Sequence, residues 1–267
     1  GPLATVSPMP PAPADDPAPD PLADAAVAPI TSGMIVGLGT GRAASRAVHA
    51  LAKRARHERL RLTCVATSDR TARLAADLDL TVRPLRDVME IDYLFDGADE
   101  VDPQLALLKG AGGAMTLEKI AAYAARKRVY LVQRRKLVER LGANHRLPVE
   151  VLEHALGVLT VRLEWLKLDP QLRLAGGDAG VSIADATPDT PVEPYRTDAG
   201  NAILDLTIPD DRPAADVELM LRLMPGVVGH GLFLEHAHEV LVEDDERSNT
   251  LARLVRTPDG TREERVD

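Results

Sequence analysis

The chain has 267 residues, enough for one large domain or two smaller ones, and its composition of 45% hydrophobic but only 3% aromatic residues requires a core of Ala, Val, Leu and Ile. Its net charge of -9 argues against a nucleic-acid partner, because phosphate backbones are bound by surplus Lys and Arg. The single cysteine, Cys64, excludes an intramolecular disulfide framework and a cysteine-rich zinc site and fits a reducing cytoplasm, and no run of about 18 apolar residues is present to span a membrane.

The N-terminal segment differs in composition from the rest of the chain. Eight of the 20 prolines fall within the first 21 residues, mixed with Ala and Asp. Such a mixture cannot bury enough apolar surface to order itself. The segment also begins Gly-Pro without a Met, which is typical of the scar of a cleaved tag. We therefore expect residues 1–28 to form a disordered leader outside the fold.

After the leader, short apolar runs alternate with stretches of helical spacing. The pattern predicts strands at 34–39, 62–68, 81–85, 91–95 and 129–133 and helices at 41–56, 69–80 and 115–127. This alternation predicts an α/β fold with a Rossmann-like, mostly parallel sheet covered by helices on both faces. In such sheets ligands bind at the carboxyl ends of the strands, where Thr40, Thr67 and Asp96 fall.

The regular alternation of predicted strands and helices changes after about residue 145. A strand and a helix fit 147–166, a second strand fits 202–208, and a helix at 216–224 is ended by Pro225 and Gly226. We interpret residues 146–226 as a smaller α+β domain. The main domain then comprises 29–145 and 227–267, with a late strand that returns to the first sheet and a C-terminal tail made of a turn and charged residues.

The glycine turn GLGTGR (37–42) lies between a predicted strand and a predicted helix. Backbone N–H groups at such a helix start favour an anion. The turn lacks the third glycine and the ribose-binding acid of a dinucleotide site, and it lacks the GKS or GKT of a nucleoside-triphosphate site. Two interpretations remain open: a site for a small phosphate group, or a tight turn without a ligand.

The stretch DGADEVDPQLALLKGAGGAMTLEKI (96–120) combines acids, a lysine and glycines. It lacks the ligand spacing of a calcium loop, and no histidine between His57 and His145 completes a metal site, so we predict no metal. Acids with a lysine can instead transfer a proton between adjacent sugar carbons, one carboxylate acting as the base while donors hold the enediolate. Lys109 and the amides of 110–113 provide such donors. Glu118 is either that base or an ordinary charge at a helix start.

Taken together, these motifs resemble those of the type A ribose-5-phosphate isomerases. The resemblance rests on GLGTG, VATSDRT, DGADEVD, LKGAGGAMTLEKI, RRKLVERLG with LPVEV, TDAGNAILD and PGVVGHGLF in that order, from about residue 33 to about 245. It implies interconversion of D-ribose 5-phosphate and D-ribulose 5-phosphate through a cis-enediol, in the non-oxidative pentose phosphate pathway, without metal or organic cofactor. It also implies a homodimer or homotetramer, and the single cysteine predicts a cytoplasmic protein.

The resemblance assigns roles to individual residues. Glu118 matches the general base that moves a proton between C2 and C1. Asp96 and Asp99 match acids that contact the sugar hydroxyls and help to open the ring, and Lys109 matches the cation that holds the developing oxyanion. The residues that it implies for substrate binding are Thr40, Gly41, Arg42, Ala43, Gly97, Ala98, Gly110, Ala111, Gly112 and Lys136.

The chain departs from the family pattern in two places. Arg42 and Ala43 stand where the family's glycine turn continues Ser-Thr, and the family's N-terminal helix with its substrate-facing lysine is not recognisable. The departures leave one alternative, a catalytically weak homologue acting as a phosphosugar-binding sensor. A second alternative, acyl transfer through a glutamyl thioester as in coenzyme A transferases, needs an extended nucleotide groove, and the phosphosugar-sized glycine turn argues against it. The presence of Glu118 together with Lys109 and the two aspartates favours catalysis, because a sensor needs no base.

Overall fold

The computed structural model describes residues 19–176, 193–245, 250–258 and 260–266. In these ranges the helices are α1 (Pro21–Val27), α2 (Arg42–Glu58), α3 (Asp69–Asp77), α4 (Met115–Ala124), α5 (Leu156–Trp165) and α6 (Ala214–Arg222). The strands are β1 (Ile35–Leu38), β2 (Thr63–Ala66), β3 (Val82–Arg83), β4 (Ile91–Gly97), β5 (Glu100–Val101), β6 (Leu107–Leu108), β7 (Ala125–Gln133), β8 (Leu147–Val151), β9 (Gln171–Leu172), β10 (Ala202–Leu206), β11 (Val227–His230), β12 (Leu232–Phe233), β13 (Glu239–Glu243), β14 (Leu251–Thr257) and β15 (Gly260–Val266).

The first sheet is mostly parallel, and the predicted fold class is confirmed. Its strand order is β15-β14-β13-β7-β4-β1-β2-β3; all neighbours are parallel except the two pairs that involve β14. Successive side chains of a strand point to opposite faces. Along β4, Tyr93 and Phe95 enter the core beneath α1 and α2, whereas Leu94 enters the core beneath α4. Helices therefore cover both faces of the central strands.

The smaller sheet is antiparallel and has a core of its own. Its strand order is β11-β8-β10-β9. Ala202, Leu204 and Leu206 of β10 pack in the same apolar cluster as residues of α5 and α6, which cover that face. The alternate residue Asp205 bonds to Arg173, which in turn contacts the loop that follows β6. Strand β11 adds residues 227–230 to this sheet, beyond the expected bound of 226. A short third sheet, β12-β6-β5, links the two parts.

Three local expectations differ from the structure. Residues 21–27 of the expected leader form α1: Asp20 accepts a hydrogen bond from the amide of Ala23 (3.2 Å), Pro21 occupies the first turn, and the apolar residues of the helix are buried. The helix expected at 115–127 ends at Ala124, and β7 begins at the next residue, Ala125. The tail, expected as a turn with charges, includes β15, whose mostly exposed side chains suit an edge strand. Residues 1–18 lie outside the described residues.

The topology brings four chain segments to one edge of the first sheet. Strands β1, β2, β4 and β7 run in parallel, so their carboxyl ends meet there. The glycine turn follows β1 and leads into α2, and the acidic stretch follows β4. Within the described ranges, no helix is sufficiently long and apolar to cross a membrane.

Candidate active site

Asp96 lies at the carboxyl end of β4, directly against the glycine turn. Its Oδ1 accepts hydrogen bonds from the amides of Thr40 (3.1 Å) and Gly97 (2.7 Å). A Cβ atom at Gly39 would lie 2.2 Å from that same oxygen, so only glycine permits this approach. The turn after β1 therefore binds the carboxylate of Asp96 through its backbone, and this explains one requirement for glycine in GLGTG.

Lys109 is a buried cation placed between two carboxylates. It follows β6, and its amide donates to the carbonyl of Gly231 (2.8 Å), which fixes the start of the glycine loop. Its Nζ lies 3.0 Å from Asp96 Oδ2 and 3.3 Å from Glu118 Oε2, and it also donates to the carbonyl of Gly97. Only 3% of the side chain is exposed. One positive charge therefore forms ion pairs with two carboxylates in a site that is shielded from water.

Glu118 lies in the first turn of α4, and its side chain is buried at the floor of the site. Burial and the negative charge of Asp96 raise its pKa to about 8, although Lys109 opposes the change. Burial also raises the pKa of Asp96 against the pull of Lys109. The pKa of Lys109 is raised because the two acids outweigh the effect of burial, so the lysine stays charged. A carboxyl group with a pKa near neutral pH is suited to proton transfer.

Aromatic rings form the wall behind the lysine. Its Nζ lies 5.7 Å from the ring centroids of both Tyr130 and Phe233. Burial raises the pKa of the Tyr130 hydroxyl, which keeps that group protonated. The low-polarity wall strengthens the electrostatic interactions of Lys109 with the acids in front of it.

The glycine loop, residues 110–113, leads from Lys109 to α4. The amide of Ala111 donates to Asp99 Oδ2 at 2.9 Å, so that the loop holds the second aspartate of the acidic stretch. Gly113 has a φ of +79°, and a Cβ at this position would lie 2.4 Å from the Tyr195 hydroxyl. The loop thus needs glycine both for its conformation and for the close approach of a residue from the smaller domain.

Cationic side chains also line the end of the site that is formed by the start of α2. Arg42 is exposed at the start of α2, next to Gly41, and Lys136 lies in a single 3-10 turn after β7. The Thr40 hydroxyl bonds to those of Thr67 and Ser68, both at 2.9 Å. This end combines helix-start amides with positive charge, a combination that suits a phosphate group.

These groups surround one cavity of about 260 Å³. Every residue that the sequence predicted for the site lines it except Asp96, which lies beneath the floor against Lys109. The lining residues that were not predicted are Arg46, Leu131, Val132, Gln133, Arg135 and Glu243. Arg46 could have been found, because it lies one helical turn after Arg42. In the structure its guanidinium bonds to Asp20 and Glu243, at 2.6 Å in each case, which ties α1 to the site.

No cluster of three or more His, Cys, Asp or Glu side chains that could hold a metal ion occurs in the parts of the chain that the structure describes. The arrangement does offer a carboxyl base of raised pKa, an adjacent buried ammonium group and an anion-binding end. These groups can remove a proton from a carbon and hold the oxyanion that results.

Comparison with known proteins gives a consistent result. The sequence profile of "Ribose 5-phosphate isomerase A (phosphoriboisomerase A)" matches residues 63–247. The chain is 42% identical to ribose-5-phosphate isomerase A of Jannaschia sp. (strain CCS1), over 75% of this chain and 73% of that protein, and 40% identical to that of Thermomicrobium roseum, over 81% and 88%. Its structure is similar to that of ribose 5-phosphate isomerase A from Methanocaldococcus jannaschii, with a TM-score of 0.74, 32% identity and coverage of 92% and 97%. It is also similar to a D-ribose-5-phosphate isomerase in complex with phospho-erythronic acid, with a TM-score of 0.75, 31% identity and coverage of 92% and 96%.

Proposed function

The chain belongs to the ribose 5-phosphate isomerase A family, and we propose how its own residues perform the interconversion of D-ribose 5-phosphate and D-ribulose 5-phosphate. The observation that supports the proposal best is the position of Lys109, whose ammonium group lies between Asp96 and Glu118 beneath the cavity. Adjacent carbons of a sugar bound in the cavity would then reach a carboxylate and a cation together.

In the proposed reaction, Glu118 takes the proton from C2 of the open-chain aldose and returns it to C1. Lys109 and the amides of the glycine loop hold O1, which becomes negative when C2 loses its proton, and the O2 hydroxyl proton passes to O1 before C1 is protonated. Asp99, held by the amide of Ala111, accepts and returns the hydroxyl protons that must move when the ring opens. Asp96 keeps Lys109 charged and in place. All groups recover their protons after each turnover.

At the other end of the cavity, we propose that the amides of Gly41 to Ala43, together with Arg42 and Lys136, hold the 5-phosphate. Arg42 here supplies a positive charge where the family pattern has hydroxyls. The phosphate then fixes the distance from C5 to C2 and so aligns C2 with the base. Binding energy at a remote group of this kind serves to orient the reacting carbons.

The proposed function is tested by following ribulose 5-phosphate formation from ribose 5-phosphate after treatment of the protein with EDTA. We expect turnover to persist after the treatment. Binding of the sugar phosphate without turnover would instead support the phosphosugar-sensor alternative. Loss of activity with EDTA that returns with a divalent metal would contradict the proposed mechanism.

The pH dependence of the reaction is expected to follow the protonation state of the Glu118 carboxyl group. A base is active only when deprotonated, and burial raises the pKa of Glu118 to about 8, so kcat/KM rises with pH through a midpoint at about 8 and levels off above about pH 9. Because the phosphate of the substrate ionises near pH 6, the profile is read above about pH 7. Asp96→Asn removes a negative charge that raises this pKa, so the midpoint of the variant moves to lower pH. A wild-type profile that is flat above about pH 7 would contradict the assignment.

Arg42 is expected to contribute to phosphate binding and not to chemistry. Because it is exposed, Arg42→Ala raises KM for ribose 5-phosphate only about two- to fivefold and leaves kcat unchanged. The difference should shrink at high salt, which screens exposed charges. Arg56→Ala, at the other end of α2, is the matched control and should leave KM unchanged. A fall in kcat with unchanged KM would place Arg42 in a different role.

We further propose that the chain forms a homodimer or homotetramer. On α5, the side chains of Val158 (75% exposed), Val161 (47%) and Trp165 (73%) form an apolar stripe at helical spacing. Exposed apolar patches of this kind mark interaction surfaces. Sedimentation analysis should show an oligomer that Val158→Asp weakens. A wild-type monomer at micromolar concentration would contradict the proposal.

We also propose that the protein acts in the cytoplasm. Its single cysteine, Cys64, is buried, and burial raises the pKa of the thiol to about 12, which keeps it protonated and unreactive. Fluorescence microscopy of a tagged chain tests this assignment.

A further inference from the structure

The smaller domain reaches into the active site through one arginine. Arg173 follows β9, and its Nη1 donates to the carbonyls of Gly110 (3.0 Å) and Ala111 (3.1 Å) in the glycine loop. Its Nε and Nη2 donate to the two carboxylate oxygens of Asp205, at 2.8 and 2.5 Å. Asp205 thus fixes the orientation of the guanidinium group, which donates hydrogen bonds to two consecutive peptide groups.

The peptide geometry shows what these bonds do on the cavity side. In a trans peptide the C=O and N–H groups point in opposite directions. The peptide between Gly110 and Ala111 is an example. Its carbonyl accepts a hydrogen bond from Arg173, and its N–H, which belongs to Ala111, donates to Asp99 Oδ2 (2.9 Å). The next peptide, held at the carbonyl of Ala111, directs the N–H of Gly112 toward the same side, where Gly112 lines the cavity.

Two further contacts from the smaller domain support the same loop and the helix that follows it. The Tyr195 hydroxyl donates to the carbonyl of Gly112 at 3.1 Å. Glu150 of β8 accepts a hydrogen bond from the hydroxyl of Thr116, two residues before Glu118. The carbonyls of Gly110, Ala111 and Gly112 therefore bond to the smaller domain, whereas the amide of Ala111 bonds to Asp99 and that of Gly112 is directed to the cavity side.

We propose that Arg173, oriented by Asp205, is a positioning residue for the isomerisation: it sets the glycine-loop amides that hold Asp99 and the enediolate oxygen. The inference rests on the proposed function. It assigns to the smaller domain a role in transition-state stabilisation in addition to its own folding. Because Arg173 contacts the glycine loop and none of the groups proposed to hold the phosphate, its loss affects kcat and leaves KM nearly unchanged.

The experiment compares Arg173→Met and Arg173→Lys with Arg212→Met. Arg212 also lies in the smaller domain and donates to a backbone carbonyl, that of Leu166 (2.8 Å), far from the loop, so its variant is a matched control. Each protein is assayed for kcat and KM and titrated calorimetrically with phospho-erythronate. The carboxylate of this compound presents oxygens where the enediolate would, and the stoichiometry of binding counts the folded sites.

We expect Arg173→Met to lower kcat about 10- to 100-fold, the scale of a misplaced catalytic group, with KM changed less than about threefold. The Kd for phospho-erythronate should rise by a similar factor at unchanged stoichiometry. Arg173→Lys should fail as well, because a single ammonium cannot replace the fork. In a third variant, Arg173→Ala, which leaves the space of the side chain open, added guanidinium should restore part of the turnover.

Two results would overturn the proposal. The first is a fall in stoichiometry that matches the fall in kcat at unchanged Kd, which would show a purely structural role. The second is wild-type kcat in Arg173→Lys or Arg173→Met. The wild type is assayed first. If it binds the sugar phosphate without turnover, the result contradicts the proposed function and not the role of Arg173.

Discussion

Glu118→Gln is expected to lower kcat for ribose 5-phosphate by about 10²- to 10⁴-fold, the range that a general base contributes. Glutamine has the shape of glutamate but cannot accept the C2 proton. The substrate should still bind, because the groups proposed to hold the phosphate are unchanged. The loss therefore appears in kcat and not in KM. Single-turnover assays with purified variant give the rate of the chemical step directly.

Stability measurements separate this loss from misfolding. The pKa of Glu118 is raised in the folded state, so the stability that this group contributes is present below its unfolded pKa and is lost as pH rises through about 8. Glutamine does not titrate. The melting temperature of Glu118→Gln relative to wild type should therefore increase between about pH 5 and about pH 8. A variant with near wild-type kcat would remove Glu118 from the mechanism.

Much of the catalytic centre was accessible from the sequence because its parts are local. The turn after β1 and the segment from Asp96 to Glu118 each consist of a strand end, glycines and a helix start within a few residues. Parallel strands bring such segments to the same edge of the sheet without further information. The sequence motifs thus predicted most of the residues that line the cavity, but not those of β7 and β13, Arg46 or Arg135.

What the sequence did not show is how distant segments hold that centre. Arg173 lies more than 60 residues along the chain from the glycine loop that it contacts. No sequence pattern around Arg173 or in the loop indicates this contact. The helix α1 was missed because its Pro- and Ala-rich composition is typical of a leader, yet its apolar face completes the core and Asp20 pairs with Arg46. Strand β15 was missed because an exposed edge strand shows no apolar alternation.

The balance of charge in the site favours an enzyme over a sensor. Two buried carboxylates share one lysine, and this arrangement lowers the free energy of unfolding. A site that only binds its ligand does not require such an arrangement. Strongly shifted pKa values of this kind are typical of catalytic groups. The stability of the protein should therefore depend strongly on Lys109.

Lys109→Met is expected to abolish detectable isomerisation and to lower the free energy of unfolding by about 3–5 kcal/mol at pH 8, the usual cost of leaving a buried charge without its partner. Without the ammonium group, the pKa values of Asp96 and Glu118 rise further, so both acids become neutral as the pH falls. The deficit should consequently be smaller at pH 6 than at pH 8. Urea unfolding at both pH values measures it.

Two further variants make the test of Lys109 specific. Lys127→Met removes a half-exposed lysine whose Nζ lies 3.1 Å from Glu239, and it should cost less than about 1 kcal/mol at either pH. Adding Glu118→Gln to Lys109→Met removes one of the two uncompensated acids, so the double variant should be more stable than Lys109→Met alone. Equal destabilisation at both pH values, or strictly additive effects in the double variant, would show that Lys109 contributes packing and not charge. The ammonium group would then have to be excluded as the group that holds the enediolate.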